Sequence, residues 1–304
     1  MKRGLRMAAL TLLVTLLSGH ALAFDPLPYD ELPPYAPHEE NFLRDNRGYR
    51  DESLSIRVET QRHYDTDIMI VYVNVADASQ IRTGTCVPGK PASKSYKTVY
   101  DMVKKCYPTA VLAIDGDFFI YQDEGLKGSR GVIIRNREQI RRVFSTDRES
   151  LIIDNKGDFH IVPTTEEDFR RYEGRIIHSF WFGPGLVKDG ERISDEALES
   201  IVMNIGPYKP TQRMAIGQLD SLSYVIVASE GPESKPAGAQ RGLTIEEIAQ
   251  ICYDLGCVNA YNLDGGSSTQ IVLNSSQNTR KINSPSNPKQ RAIGDIIYFA
   301  TLVP

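Results

Sequence analysis

The chain has 304 residues and a formal net charge of −4 at pH 7, with 41% hydrophobic and 24% charged residues. This composition is ordinary for a folded globular protein, and the length suffices for one large domain or two small ones. The acidic balance argues against nucleic acid as the main partner, because that binding depends on dense lysine and arginine. An anionic small ligand needs only a local cluster of arginines and stays compatible with the composition.

Residues 1–23 have the pattern of a secretion signal. Three cations lie within the first six residues, an apolar run covers residues 7–17, and Ala21-Leu22-Ala23 has the small-x-small form of a cleavage site. The apolar run is shorter than the ~20 residues of a spanning helix, and an uncleaved anchor is the alternative. We expect cleavage after Ala23, a secreted or extracytoplasmic protein, and no stable membrane span afterwards. Cleavage removes three positive charges and no negative one, which takes the net charge from −4 to −7.

The chain contains four cysteines, and an even number in an exported protein suggests disulfides. Of the three connectivities, we prefer Cys86–Cys106 with Cys252–Cys257. A four-thiolate zinc site is not favoured, because the sequence has no C-x-x-C knuckle.

The mature chain begins with a proline-rich segment that predicts an arm or linker over residues 24–60. Strand patterns dominate the domain expected over residues 61–304. Apolar runs predict strands at 68–75, 110–114, 151–154, 159–162, 224–228 and 295–299. Residues 155–158, Asn-Lys-Gly-Asp, predict a hairpin turn between two of them.

Two segments have helical periodicity, residues 96–106 and 244–255. In the second, Thr244 and Glu247 have the spacing of a capping box, and Gly256 marks the end. Strands and helices do not alternate as regular βαβ units. The sequence therefore predicts an α+β fold, a single domain with a mostly β, mixed-sheet core and a few packed helices.

Two polar segments follow predicted strands or lead into them. Asn262-Leu263-Asp264-Gly265-Gly266-Ser267-Ser268-Thr269 combines a carboxylate with two glycines and three hydroxyls, which is typical of a loop that presents donors to a polar or anionic ligand. Asp115-Gly116-Asp117 places two carboxylates at the end of a strand that we expect to be buried. Such a pair suits acid–base chemistry or a metal, and a solvated turn is the alternative for both segments.

Three arginines are candidates for holding an anion. Arg130, Arg213 and Arg241 each lie beside glycine or at the edge of an apolar segment. The planar guanidinium forms two parallel hydrogen bonds with a phosphate. Each of them singly is also compatible with a solvated surface residue.

Taken in order, these segments resemble the phosphodiester glycosidase family over residues 65–302. Ala113-Ile114-Asp115-Gly116-Asp117-Phe118-Phe119 resembles the family's A-I-N-G-[GD]-[FY]-[FY], with Asp115 where the family usually has asparagine. Further similar segments are Gly131–Asn136, Ser179–Pro184, Gln212–Gly217, Gly242–Thr244 with Leu263–Gly266, and Arg291–Phe299. Each motif is unspecific alone, and the ordered set is specific.

The resemblance implies hydrolysis of the glycosidic C1–O bond of sugar-1-phosphodiesters, with an envelope or extracellular polysaccharide as substrate. It implies Asp264 or Asp117 as base or oxocarbenium stabiliser, with Asp115 as a third catalytic candidate. The implied substrate-binding residues are Arg213, Arg130, Arg241, Asn262, Gly265, Gly266, Ser268 and Thr269.

Two other functions are compatible with the same residues. One is a non-catalytic protein that binds envelope glycans on this scaffold. The other is a metal-dependent phosphodiesterase, in which Asp115, Asp117 and Asp264 hold Ca²⁺ or Mg²⁺ through oxygen ligands. For the glycosidase we expect no required cofactor.

Overall fold

The structure is a computed structural model that describes residues 24–45, 47–90, 95–118, 130–201, 206–232, 240–275, 277–283 and 290–304. The predicted signal segment lies outside these residues. Their strands are β1 (Gly48–Arg50), β2 (Leu54–His63), β3 (Thr66–Val75), β4 (Ile81–Thr85), β5 (Ala110–Asp115), β6 (Gly131–Arg135), β7 (Glu138–Val143), β8 (Glu149–Asp154), β9 (Phe159–Pro163), β10 (Ile176–Phe180), β11 (Gly185–Lys188), β12 (Glu191–Arg192), β13 (Met214–Asp220), β14 (Ser223–Ser229), β15 (Asn259–Leu263), β16 (Ile271–Asn274), β17 (Thr279–Lys281) and β18 (Asp295–Ala300). The helices are α1 (Val99–Cys106), α2 (Glu166–Arg170), α3 (Asp195–Ser200) and α4 (Ile245–Asp254). None of the described helices is long and apolar enough to span a membrane.

The strands form three sheets. Sheet I has eight strands in the order β1-β2-β3-β14-β13-β15-β11-β12. Sheet II has the order β7-β6-β10-β8-β9, and sheet III has the order β17-β16-β5-β18-β4. The α+β class is confirmed. Every pairing between described strands is antiparallel rather than mixed, because hairpins and long returns join neighbours where βαβ crossovers would be needed for parallel pairs.

A central core fills the space between the three sheets. Each sheet contributes aliphatic side chains to it, for example Ile216 from sheet I, Ile153 from sheet II and Ile297 from sheet III. The outer faces are covered by helices: α4 packs on sheet I, α2 on sheet II and α1 on sheet III. Strand β5 is therefore buried on both faces, as its uninterrupted apolar sequence predicts.

The helix ends follow from local side-chain chemistry. Thr244 and Glu247 form the predicted capping box of α4, with Thr244 Oγ1 accepting from the Glu247 N–H at 3.1 Å. Gly256 follows with φ +83°, which confirms the predicted stop. Helix α1 begins at Val99, three residues later than the periodicity predicts. Its start is set by Thr98, whose hydroxyl accepts from the Asp101 N–H at 3.0 Å.

The hairpin turn at residues 155–158 and the arm or linker over residues 24–60 have different outcomes. The hairpin is confirmed, since β8 and β9 pair around a turn in which Gly157 has φ +82°. The proline-rich segment contributes more order than its composition indicates. Residues 48–60 form β1 and most of β2 in sheet I, and Arg82 donates to the carbonyls of Pro28 and Glu31 at 2.8 and 2.7 Å.

The structure contains neither predicted disulfide, because all four cysteines are free thiols. The Cys86 thiol donates to the carbonyl of Ile293 at 3.2 Å instead, and Cys106 Sγ lies 3.6 Å from the Cys86 carbonyl oxygen. Cys252 and Cys257 are also neighbours, joined by a backbone hydrogen bond of 3.1 Å. The predicted partners are thus adjacent but not joined by disulfide bonds, and their oxidation stays a prediction.

Candidate active site

The polar residues singled out in the sequence meet where the three sheets converge. Asp115 ends β5 of sheet III, and Asp264 directly follows β15 of sheet I. The Asp264 N–H donates to the Gly116 carbonyl at 3.3 Å, which joins the two polar segments. Arg135, at the end of β6, brings sheet II to the same place. The site therefore depends on the packing of all three sheets rather than on any one loop.

A buried ion-pair network forms the floor of this site. Arg135 Nε donates to Asp295 Oδ2 at 2.7 Å, and Arg135 Nη2 lies 3.4 Å from Asp117 Oδ2. The guanidinium carbon also lies 4.1 Å from the centre of the Phe180 ring. All three charged side chains are at most 2% exposed. Burial raises the pKa of Asp295 to about 6, against the opposing charge of Arg135.

Asp117 is fully engaged as an acceptor. Its Oδ2 accepts the Trp181 N–H at 2.7 Å, and its Oδ1 accepts the Phe118 N–H at 2.8 Å. Its own N–H donates to Asp295 Oδ1 at 2.9 Å. With its side chain 0% exposed, this carboxylate fixes the segments on both sides of it and has no free face toward solvent.

Asp115 is buried and only half satisfied. Its Oδ1 accepts the Gln270 N–H at 2.9 Å, whereas its Oδ2 has no hydrogen-bond partner among the described residues. Burial and the charge of Asp264 raise the pKa of Asp115 well above its ordinary value. A raised pKa favours the protonated form, which has nearly the shape of an amide but one O–H donor where the amide has two N–H donors.

Gly116 is required by the close approach of a carboxylate. A Cβ atom at this position would lie 2.9 Å from Asp295 Oδ1. Any side chain here would push Asp295 away from Arg135. The glycine between the two aspartates therefore follows from the buried network beneath it.

Asp264 is the least buried carboxylate of this group. Its side chain is 8% exposed, and Arg291 Nη1 lies 3.9 Å from its Oδ2. Arg291 is 44% exposed and also donates to the Ser268 hydroxyl at 3.3 Å. Burial raises the pKa of Asp264, while a hydrogen bond from Ser268 and the charge of Arg291 oppose the rise. This arrangement places a carboxylate beside a half-exposed cation.

The loop after β15 needs its two glycines. A Cβ at Gly265 would lie 2.7 Å from the Gln212 carbonyl oxygen, and Gly266 has φ +62° and donates to that same carbonyl at 3.0 Å. Asn262 donates through Nδ2 to the Gly183 carbonyl at 2.8 Å. The hydroxyl of Thr269 is buried with no partner in the described part of the chain. The loop is thus held in a fixed shape beside Asp264.

The three arginines predicted from the sequence lie in other surroundings. Arg213 is buried, and its guanidinium donates to the carbonyls of Leu243, Gly206 and Lys209 at 3.1–3.3 Å. Arg130 forms an exposed ion pair with Asp147. Arg241 forms one with Glu247 at the start of α4. A substrate-binding role for these three stays a prediction, and their described contacts do not include Asp264.

Sequence reasoning did not assign roles to Arg135, Arg291 and Asp295. Arg135 ends the apolar segment Val132-Ile133-Ile134, and Asp295 begins the apolar strand β18. A charged residue at the end of a strand that is buried on both faces is a signal for a buried pair, since neither charge is stable there alone. No such signal distinguishes Arg291, which lies in a loop.

The predicted metal ligands are not grouped as a metal site. The described residues contain no cluster of three or more histidine, cysteine or acidic side chains arranged to hold a metal ion. Asp117 directs its oxygens to the Trp181 N–H and to Arg135 instead.

A family model described as phosphodiester glycosidase matches residues 108–300, well over half of the chain. The chain belongs to the phosphodiester glycosidase family. The matched range includes Asp115, Arg135, Asp264, Arg291 and Asp295, and therefore the whole convergence of the three sheets. The family resemblance of the sequence is confirmed.

Individual relatives are more distant. The chain is 29% identical over 207 residues to the SPbeta prophage-derived uncharacterized protein YomE of Bacillus subtilis (strain 168), which covers 67% of this chain and 30% of that protein. The chain thus spans about a third of the length of this relative. The catalytic domain of zebrafish N-acetylglucosamine-1-phosphodiester alpha-N-acetylglucosaminidase, auto-inhibited by its pro-peptide, has a TM-score of 0.63 at 19% identity, with 82% of this chain and 83% of that one covered. A hypothetical protein from Synechocystis has a TM-score of 0.60 at 14% identity, with 82% and 62% covered. These solved structures show the fold.

Proposed function

We propose that the protein is an exported hydrolase that cleaves the glycosidic C1–O bond of sugar-1-phosphodiesters in cell-envelope or extracellular glycans. The observation that carries this proposal is the Asp264–Arg291 pair, 3.9 Å apart and with a half-exposed arginine, in a chain of the phosphodiester glycosidase family. The two groups match the two parts of the substrate. The Asp264 carboxylate complements the positive charge that develops at C1, and the Arg291 guanidinium complements the negative phosphodiester.

Arg291 is the proposed phosphate contact. It is 44% exposed, and its partner Ser268 adds a hydroxyl beside it. A guanidinium binds a phosphodiester through parallel, charge-assisted hydrogen bonds and stabilises the phosphate that departs. A phosphate is already a good leaving group, so that the reaction needs little help from a general acid.

Asp264 is the proposed base or oxocarbenium stabiliser. Its side chain is 8% exposed, whereas that of Asp117 is 0% exposed and occupied by backbone donors and Arg135. A carboxylate next to C1 either activates water or attacks the sugar, as in two-carboxylate glycosidases. In both roles Asp264 must be ionised. Asp117 and Asp115 then act as positioning residues.

The test is hydrolysis of the p-nitrophenyl phosphodiester of N-acetylglucosamine-1-phosphate in oxygen-18 water, followed by mass spectrometry of the products. C1–O cleavage puts the heavy oxygen into the free sugar. Heavy oxygen in the phosphate would instead indicate P–O cleavage and favour the phosphodiesterase. The absence of turnover by a protein that binds the compound would favour the non-catalytic glycan-binding function. A parallel reaction with EDTA measures any need for a divalent cation.

The exported state has its own test. Signal cleavage after Ala23 gives a mature chain that begins at Phe24. We expect the intact mass and N-terminal sequence of protein recovered outside the cytoplasm to match this start. A full-length chain retained in the membrane fraction would contradict it and favour the uncleaved anchor.

A further inference from the structure

A cavity of about 600 Å³ lies next to the candidate active site, and its lining contains neither Asp264 nor Arg291. Its walls are the segment before β8, the segment from Phe182 through β11, strand β12 and helix α3. This volume lies within the range of small-molecule sites, and it is large enough for one or two sugar rings.

The cavity and the candidate active site share a wall. Phe182 lines the cavity, and its ring lies 6.3 Å from that of Phe118, the residue after Asp117. Gly183 also lines the cavity, and its carbonyl accepts Asn262 Nδ2 at 2.8 Å, two residues before Asp264. A ligand in the cavity therefore lies close to the backbone segments that carry Asp117 and Asp264.

The charges around the cavity are nearly balanced. Three cationic and four acidic side chains line it, namely Arg148, Lys188, Arg192, Asp147, Glu149, Asp189 and Glu191. Several are already paired, for example Lys188 with Glu149 at 3.6 Å and Arg192 with Asp195 at 3.5 Å. A strongly charged ligand gains little from such a lining. A neutral ligand with many hydroxyls can use both its donors and its acceptors.

Two further features fit a sugar. Phe182 and Pro184 are half-buried in the wall and offer apolar surface for the faces of a pyranose ring. Arg192 Nη1 is buried and has no acceptor among the described residues. A ligand hydroxyl would give this donor a partner.

We propose that this cavity is a subsite for a neutral sugar unit of the substrate. The binding of a neutral sugar stands on the cavity alone. Its place in the same substrate as the phosphate at Arg291 rests on the proposed function. The subsite would select a glycosyl phosphodiester by its uncharged sugar, while Arg291 recognises the charged group.

The test uses a substitution that fills the cavity without touching the catalytic residues. Ala197 lines the cavity from α3 and is exposed, so that Ala197→Trp places an indole in the cavity at little risk to folding. Glu199→Trp adds the same ring to an exposed position of the same helix that does not line the cavity. Binding of methyl N-acetyl-α-glucosaminide is measured by saturation-transfer NMR titration, with methyl glucuronide as the anionic comparison.

We expect saturable binding of the neutral glycoside to the unmodified protein. Ala197→Trp should raise its Kd about tenfold or more, and Glu199→Trp should leave it unchanged. No binding to the unmodified protein, equal binding by both variants, or binding of the anionic glycoside alone would overturn the proposal. This readout requires no turnover. Binding of the sugar without hydrolysis of the phosphodiester would thus refute the proposed reaction and support the subsite. Hydrolysis without binding of the sugar would support the reaction and refute the subsite.

Discussion

Arg291 Nη1 lies 3.9 Å from Asp264 Oδ2, with Asp264 directly after β15 of sheet I and Arg291 in the segment before β18 of sheet III. An ion pair with a half-exposed arginine contributes less than about 1 kcal/mol to stability. Mutation of either residue should therefore cost the fold little, which makes the pair the first target for a test of function.

Replacement of Asp264 tests the proposed chemistry directly. In Asp264→Asn the side chain keeps its shape but can neither accept a proton nor offset positive charge at C1. We expect kcat for the nitrophenyl phosphodiester to fall about 10²- to 10⁴-fold, with a denaturation midpoint no lower than that of the wild type, because burial raises the pKa of Asp264. Wild-type activity should rise with pH through the raised pKa of Asp264 and then level off. Turnover by Asp264→Asn within a factor of two of wild type would remove Asp264 from the mechanism.

Arg291→Met tests the phosphate contact. Loss of hydrogen bonds to a charged group costs roughly 1.5–3 kcal/mol, which corresponds to a fall in kcat/KM of about ten- to a hundredfold. Arg241→Met is the matched control, because Arg241 is a partly exposed arginine paired with Glu247 at α4. Steady-state kinetics of both variants decide the assignment. If Arg241→Met lost activity and Arg291→Met kept it, the role predicted from the sequence for Arg241 would be supported instead.

Asp115→Asn should stabilise the protein at neutral pH. Because the pKa of Asp115 is raised, its contribution to stability is fully present below the ordinary value of 3.8 and is lost as pH rises through the folded-state value. The amide avoids this loss, which amounts to about 1.4 kcal/mol for each pH unit in that window. It keeps an acceptor for the Gln270 N–H. Urea denaturation from pH 4 to pH 8 should show the advantage of the variant growing with pH.

Asp154→Asn provides the control of opposite sign. Asp154 is also buried, but hydrogen bonds from His160 and from the N–H groups of Lys156 and Asp158 outweigh burial and lower its pKa. Its contribution to stability is present at neutral pH and is lost as pH falls. Asp154→Asn should therefore destabilise at pH 7. If the stability of Asp115→Asn relative to wild type changed with pH in the same direction as that of Asp154→Asn, the pKa of Asp115 would not be raised and its carboxylate would be ionised in the folded protein.

Arg135→Met should disrupt the site and lower the free energy of unfolding of the whole protein. The substitution leaves Asp295 and Asp117 buried without their cation, and the loss of one partner of a buried pair costs about 3–5 kcal/mol. Arg130→Met breaks an exposed pair with Asp147 and should cost less than about 1 kcal/mol. Denaturant midpoints compare the two. Equal, small effects would mean that the buried network does not stabilise the convergence of the sheets.

Alkylation reports on the four thiols. Burial raises the pKa of Cys86 to about 11, and a hydrogen bond with Cys257 together with burial raises that of Cys252. Cys106 is the partly exposed one. N-ethylmaleimide should label Cys106 first in the native protein and all four after unfolding. A protein that takes no label even when unfolded, and is lighter by four hydrogens, would instead contain both predicted disulfides.

The sequence alone determined the local structure and the family of this protein. Capping at Thr244, the turn at Gly157 and the apolar run of β5 depend on residues close in the chain, and each is visible in the sequence. The motifs that indicated the family are also short runs of neighbouring residues, and their order along the chain is visible in the sequence. The start of α1 was predicted three residues early, because periodicity does not reveal which hydroxyl caps the helix.

The tertiary structure decided which charges meet. Asp115, Arg135 and Asp264 end or follow strands of three different sheets, and only the packing of those sheets brings them together. In the folded chain Arg213 donates hydrogen bonds to backbone carbonyls, and Arg291 lies beside Asp264. Electrostatic pairing and burial depend on distances between residues far apart in the chain. The sequence therefore identified the chemical groups, whereas their assignment to substrate or to structure followed from the fold.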